Sequence, residues 1–263
     1  MIRIYSTEEA RESILKRQAP DDTVIPASLQ QSITRLFGEA LTPEQAVTRI
    51  LREVRREGDA ALQRWSERLD GSAPQSFRVT EEQLAKSIEL ITSPELQALK
   101  NSAERIRRFY ERQPLNSWIM QDSSGTLGQV IRPIQRVGIY VPGGAAPLAS
   151  TVLMSAVPAQ VAGVPEIVIT APPQRDTGVV APIILAACAI LGIQEVNSLG
   201  GAQAVAALAY GTESIPAVDK IVGPGNLFVT LAKRQVYGTV GSDGLAGPTE
   251  TMVIADENAN PSW

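Results

Sequence analysis

A chain of 263 residues, 44% apolar and 20% charged, has the composition of a soluble globular protein with room for one large domain or two modest ones. Its net charge of −4 argues against general attraction to nucleic acid or to an anionic membrane surface. It contains no histidine and one cysteine. That excludes an internal disulfide, a Ser-His-Asp triad, a histidine general base and any His-ligated metal site within these residues.

Residues 1–115 read as helical. Thr42-Pro43-Glu44-Gln45 is a helix start: the Thr hydroxyl can accept a backbone N–H, and Pro is pre-set for the first turn. Ala46, Ile50, Leu51 and Val54 then recur at helical spacing up to Gly58, and Leu62, Trp65 and Leu69 repeat the pattern over Asp59–Leu69. Thr80-Glu81-Glu82-Gln83 is a second capping box, leading into Leu84, Ile88 and Ile91. Ser93-Pro94-Glu95 opens a longer helix towards Arg112, stopped by Pro114. Its basic side chains Lys100, Arg105, Arg107 and Arg108 read as a solvated face, since nothing else in the sequence marks an anion site there.

Residues 116–135 form a connector. Ser117–Gln121 and Leu127–Ile131 are short strand candidates around the turn-forming Asp122-Ser123-Ser124-Gly125.

Four strand-plus-helix units follow, over 136–247. Val137–Val141 leads through Pro142-Gly143-Gly144 into a helix opening near Ser150, and Glu166–Thr170 precedes a helix from about Val179 to Leu191. Val196–Leu199 turns at Gly200-Gly201 into Ala202–Tyr210, and Lys220–Val222 turns at Gly223-Pro224-Gly225-Asn226 into a helix ending near Gly238. This alternation implies right-handed crossovers and a parallel sheet with both faces covered. Ligands bind such sheets beyond the carboxyl ends of the strands, where three of the four units carry their glycines. Cys188 falls in the apolar run Ile183–Leu191 and reads as a buried core thiol.

Ser242–Thr249 is a Gly-rich loop, Met252–Ala255 one more apolar strand candidate, and Asp256–Ser262 a loop poised to cap a helix. The first residues lack a signal peptide's apolar core, and no apolar run approaches the ~20 residues that span a bilayer. The cytoplasm is the expected compartment.

The glycine turns suit a nucleotide or phosphate, because helix N-termini offer unpaired N–H groups and glycine lets a ligand approach the backbone. Neither G-x-G-x-x-G nor G-x-x-x-x-G-K-[S/T] is present, so the same glycines also read simply as tight strand-to-helix turns.

Three long motifs go further: Val-Gly-Ile-Tyr-Val-Pro-Gly-Gly-Ala-Ala-Pro-Leu-Ala-Ser-Thr-Val-Leu-Met (137–154), Gly-Gly-Ala-Gln-Ala-Val-Ala-Ala-Leu-Ala-Tyr-Gly-Thr (200–212) and Val-Asp-Lys-Ile-Val-Gly-Pro-Gly-Asn (218–226). With Asp-Gly-Leu-Ala-Gly-Pro-Thr-Glu (243–250), they resemble the histidinol dehydrogenase family in the family's order. The resemblance implies oxidation of L-histidinol to L-histidine in two NAD-dependent steps, with zinc holding the substrate in a homodimer. By motif it implies that Tyr140, Gln203 and Asn226 contact NAD. Thr249 falls where the family usually has a substrate-contacting serine; the hydroxyl is kept and a methyl added. The family's zinc ligands and its Glu-His acid–base pair belong to segments beyond Trp263, so no catalytic residue and no metal ligand is expected in this chain.

The expected fold is α/β: a parallel, Rossmann-like NAD domain (136–247) with helices on both faces. A helical N-terminal part of a second α/β domain (1–115) precedes it, and 248–263 return to that first domain. Two functions are carried forward. One is a histidinol dehydrogenase chain that is truncated and inactive alone; the other is a non-catalytic module of the same origin that binds a dinucleotide or a partner subunit.

Overall fold

The computed structural model describes residues 3–16, 25–71, 74–113, 116–143, 147–245 and 252–260. They divide into two compact units, Met1–Ala46 and Val47–Trp263.

In the first unit, α1 (Thr7–Glu12) opens on a capping box in which Ser6 accepts from Glu9 N–H and Glu9 reaches back to Ser6 N–H. Helix α2 (Ala27–Phe37) buries Ile33 and ends at Gly38 in the left-handed conformation. Helix α3 (Pro43–Glu57) starts as its sequence predicts, with Thr42 and Gln45 capping each other at 2.9 and 3.2 Å.

In the second unit, Ile50, Leu51 and Val54 of α3 are buried, as are Leu62 and Trp65 of α4 (Asp59–Asp70). Thr80 and Gln83 close the capping box of α5 (Glu81–Ser87). Helix α6 (Ser93–Tyr110) is capped by Thr92 with Glu95, one residue before the expected start. The hairpin forms as β1 (Trp118–Asp122) and β2 (Gly125–Gln129), antiparallel, with both strands exposed throughout. On α6, Arg107 donates to Gln160 at 2.7 Å and Arg108 pairs with Glu104 at 3.0 Å, so these two basic side chains are engaged within the protein.

The central sheet contains β3 (Arg136–Tyr140), β4 (Glu166–Ala171), β5 (Glu195–Ser198), β6 (Lys220–Val222) and β7 (Gly241–Ser242). It is parallel throughout, in the order β5-β4-β3-β6-β7. The chain therefore winds outward from β3 in one direction, then returns to β3's other side and winds the opposite way. Right-handed crossovers then place α7 (Ala149–Val161) and α8 (Pro182–Ile190) on one face, and α9 (Gly201–Tyr210) and α10 (Leu227–Val236) on the other. The observed pairing of α7 with α8 and of α9 with α10 agrees. Helices α5 and α6 form a further layer over α8 and α7, while α4 packs on α9. The helix α9 is sandwiched, and eight of its ten residues are buried. At the amino ends of the strands, Arg136 pairs with Glu166 at 2.6 Å and Glu195 at 2.5 Å, tying β3, β4 and β5 together.

Two expectations are corrected. β7 is not among the expected strands and overlaps, at Ser242, the start of the stretch read as a loop, because a two-residue strand of Gly and Ser carries no apolar alternation to reveal it. Met252–Ala255 forms no strand: Met252, Val253 and Ile254 are 78, 83 and 90% exposed, and the sheet ends at β7 without them. An apolar run lacking a ladder partner leaves its backbone unpaired, and side-chain propensity alone does not supply one. Pro114, Gly144, Thr249, Ser262 and Trp263, on which other expectations fell, lie outside the described residues.

Gly138, in the middle of β3, makes room for α9: a Cβ there would lie 2.9 Å from both methyl groups of Leu208, which is fully buried. Gly138→Ala should cost about 1–3 kcal/mol through overpacking, and Leu208→Ala about 2–5 kcal/mol through the cavity it leaves. Because the new methyl would occupy part of that cavity, the double variant should lose clearly less than the sum. Urea denaturation of the four proteins checks this, and additive losses would contradict it.

Candidate functional site

The sheet order reverses at β3, so the crevice between the carboxyl ends of β3 and β6 is its topological switch point. Tyr140 is the last residue of β3, and Gly223-Pro224-Gly225-Asn226 follows β6 directly. The two ends meet closely. A Cβ on Gly223 (φ +111°) would land on the Tyr140 carbonyl oxygen, so only glycine lets β6 turn away at this point.

Two side chains to which the sequence reading gave no role hold this turn. Gly223 N–H donates to Asp243 Oδ2 at 2.8 Å, and Lys233 Nζ donates to Gly223 C=O at 2.9 Å. Lys233 and Asp243 also form an ion pair. Lys233 comes from the buried side of α10 and is 5% exposed; Asp243 directly follows β7. Both backbone groups of one glycine are thus satisfied by a single charged pair. A signal existed in the sequence: a lysine inside the otherwise apolar buried pattern of α10 has to find an anion.

Asn226 is exposed and forms the N-cap of α10, its Oδ1 accepting from Val229 N–H at 3.1 Å. That leaves the amide Nδ2 to donate outward beside the helix N-terminus. Tyr140 and Gln203 lie together on the other side of the crevice, beneath the Gly200-Gly201 turn. Tyr140 is 4% exposed, and its hydroxyl accepts from Gly201 N–H at 3.2 Å. Burial pushes its pKa above the usual value of 10, and the nearby Asp70 adds to the shift. Gln203, the third residue of α9, is fully buried. Its Nε2 donates to Asp70 Oδ2 at 3.5 Å, while its buried Oε1 has no partner. Tyr140 and Gln203 are therefore joined through Gly201 and covered by its turn, whereas Asn226 faces solvent. A ligand reaches the first two only if that turn shifts.

Asp70 had no sequence signal, since it ends an ordinary amphipathic helix. Burial raises its pKa from 3.8 to about 6, and Arg175 in the β4–α8 loop acts against the rise. A metal finds no comparable setting. Among the described residues no group of three or more His, Cys, Asp or Glu side chains could hold an ion. Cys188 is fully buried and burial pushes its thiol up to about 12, so it stays protonated and unfit as a ligand. The residues described do not fit a zinc site.

A family model for histidinol dehydrogenase matches residues 38–263. The chain belongs to the histidinol dehydrogenase family. It is 54% identical over 240 residues to the histidinol dehydrogenase of Deinococcus radiodurans, an alignment covering 91% of this chain and 54% of that protein. It is 45% identical over 258 residues to that of Thermus thermophilus, covering 98% of this chain and 57% of the relative. The crystal structure of histidinol dehydrogenase from Elizabethkingia anophelis superposes with a TM-score of 0.78 at 36% identity, covering 90% of this chain and 55% of that one. The chain spans about half the length of the curated relatives it matches. No helix of the described residues is long and apolar enough to cross a membrane.

Two outcomes follow from the charges at this site. Lys233→Met leaves Asp243 without its cation and should cost about 1–3 kcal/mol, below the value for a fully buried pair because Asp243 keeps contact with water; thermal and urea unfolding measure it. Asp70 has the opposite sign. Its pKa is higher folded than unfolded, so the native state binds its proton more tightly between 3.8 and about 6, and stability is lost as pH rises through that window. Asp70→Asn should therefore raise Tm by roughly 4 °C or more above pH 7, the gain fading as pH falls towards 4. An Asn variant less stable than the wild type at pH 7.5 would contradict this.

Proposed function

We propose that this chain carries the dinucleotide side of an NAD-dependent oxidation of L-histidinol to L-histidine. One observation carries the reading: in a member of the histidinol dehydrogenase family, Tyr140, Gln203 and Asn226 stand at the carboxyl ends of β3, β5 and β6, around the point where the sheet reverses. The residues suit a dinucleotide. The N-termini of α9 and α10 offer unpaired N–H groups to a pyrophosphate, Asn226 offers an outward donor, and the orphaned Gln203 Oε1 needs one. NAD, when bound, supplies the hydride acceptor. The protein's part is to hold it: Asn226 at the rim, the α10 N-terminus beside it, and Tyr140 and Gln203 as the support beneath the Gly200-Gly201 turn. Thr249 is proposed as a substrate contact through its hydroxyl. The homodimer, the zinc requirement and a cytoplasmic location belong to the proposal in the same way. So does the organisation into an NAD domain over 136–247, helices from another domain over 1–115 and a return at 248–263.

A second reading draws on a separate observation. Without histidine in its 263 residues and without a metal-holding cluster among those described, the chain offers a dinucleotide site but neither the base nor the metal ligands of the family reaction. By itself it would act as a dinucleotide-binding module. Neither reading expects histidinol-dependent NADH formation by the purified chain, with or without added zinc; activity that appears only when the base and metal ligands are supplied on a second polypeptide supports the first, and none even then supports the second.

The NAD site is tested separately at Asn226, whose side chain both caps α10 and faces outward. Asn226→Ala should lose about 1 kcal/mol of stability with the cap and should also lose NAD binding. Asn226→Ser keeps a capping oxygen but not the amide donor, so it should hold wild-type stability while binding NAD about tenfold more weakly, the loss expected for one hydrogen bond. Calorimetric titration with NAD and thermal unfolding read the two effects apart. A Ser variant that binds like the wild type would reduce Asn226 to a cap.

A further inference from the structure

Gln203 reaches its position from α9 and meets a carboxylate from a different part of the chain, the last residue of α4. The geometry of the amide is unequal at its two ends. Nε2 points to Asp70 Oδ2, and Oε1 lies against Gly201, so close that a Cβ there would overlap it. Gly201, at φ +64°, is the residue whose N–H is held by the Tyr140 hydroxyl. The reverse orientation of the amide would set its carbonyl against an ionised carboxylate, acceptor to acceptor, and turn NH2 towards the glycine. A buried carbonyl left without a donor is a costly arrangement. A half-buried carboxylate that raises its own pKa costs stability as well. Two unfavourable groups facing each other under one turn are what a preorganised site retains for a ligand to satisfy.

We propose that Asp70 is a positioning residue of the dinucleotide site: its carboxylate fixes which end of the Gln203 amide faces the Gly200-Gly201 turn, so that a shift of the turn on binding opens an acceptor to a hydroxyl or amide N–H of the ligand. The proposal rests on the dinucleotide reading above for the identity of the ligand, and on Asp70 and Gln203 alone for the orientation. Protonation removes the bias, because a neutral carboxyl can donate to Oε1 and so stabilises the reversed amide. The groups facing Asp70 do not change charge in the same range. Burial moves Tyr140, from β3, further above 10, and the other, from the β4–α8 loop, is an arginine, a side chain that does not deprotonate in proteins. The transition therefore belongs to Asp70, near pH 6, with the acceptor presented above it and lost below it.

The test uses the 263-residue chain, its Asp70→Asn and Asp70→Glu variants, and two measurements. In the first, NAD affinity is followed calorimetrically from pH 5 to 8. The wild type should bind about tenfold more weakly below pH 6 than above it. Asp70→Asn offers both a donor and an acceptor and so should bind weakly with no transition. Asp70→Glu, which keeps the carboxylate, should restore at least part of both the affinity and the pH dependence. In the second, the Gln203 side-chain NH2 resonances are followed by NMR over the same range without ligand. They should titrate with the Asp70 carboxyl in the wild type and stay still in Asp70→Asn. An Asn variant that binds NAD with the wild-type affinity and pH profile overturns the proposal, as do Gln203 resonances indifferent to Asp70. If the wild type binds no NAD at any pH, the dinucleotide reading falls instead, and the NMR titration alone decides whether Asp70 orients Gln203: a shared midpoint supports it and an unresponsive amide overturns it. The stability of Asp70→Asn is read in the same samples, so loss of binding is separable from loss of fold.

Discussion

Everything at the carboxyl end of the sheet depends on how closely β6 can approach β3. Parallel strands with opposite winding on either side leave a crevice where their connections part, and its width is set by the backbone there. Gly223 brings β6 against the Tyr140 carbonyl with no side chain between them. The Lys233–Asp243 pair then satisfies the glycine's N–H and C=O, which would otherwise be two partly buried polar groups without partners. One position thereby carries three demands: a left-handed backbone, no side chain, and a charged pair delivered from α10 and from beyond β7. From it the chain proceeds directly to Asn226 and the N-terminus of α10.

The opposite wall is built differently. There the polar groups are not fully satisfied: Gln203 lacks a donor on one oxygen, and Asp70 sits as a carboxylate in a place that penalises its charge. The surrounding core is closely packed, with α9 buried between the sheet and α4, so these groups have little room to find other partners. Close packing around unmet polarity, under a glycine turn, is the observation on which the proposed dinucleotide site rests. The two walls thus share out the work. On the β6 side the polar groups of Gly223 are satisfied, while on the β5 side Gln203 Oε1 has no donor and Asp70 carries a raised pKa.

The helical layer is part of this arrangement. Helices α5 and α6 cover α8 and α7, with Arg107, Gln160 and the Leu191 carbonyl linked in a chain at 2.7 Å each. Helix α4 covers α9 and brings Asp70 to Gln203. A segment that reads in sequence as a set of amphipathic helices therefore contributes a residue to the candidate site. Hydrophobic periodicity could not show this, because it reports which face of a helix is buried and not what its last residue meets.

Much of the fold was legible in the sequence. Capping boxes at Thr42 and Thr80, strand-helix alternation from Val137 and glycine at three of the four strand ends are local signals, written in residues that satisfy one another a few positions apart. The four expected strands of the sheet and its parallel sense followed from them, and the long motifs pointed to the histidinol dehydrogenase family and to Tyr140, Gln203 and Asn226 as residues to examine. Tertiary structure alone decided the rest. The strand order, with its reversal at β3, depends on which neighbours pair and not on what each strand is made of. β7 exists because β6 offers it an edge, whereas Met252–Ala255, richer in β-forming residues, pairs with no strand among the described residues and stays exposed. The charged pair on Gly223 and the carboxylate on Gln203 join residues 10, 20 and 133 positions apart. Contacts of that kind leave no periodic trace, because a polar side chain's role is set by the partner that folding brings to it.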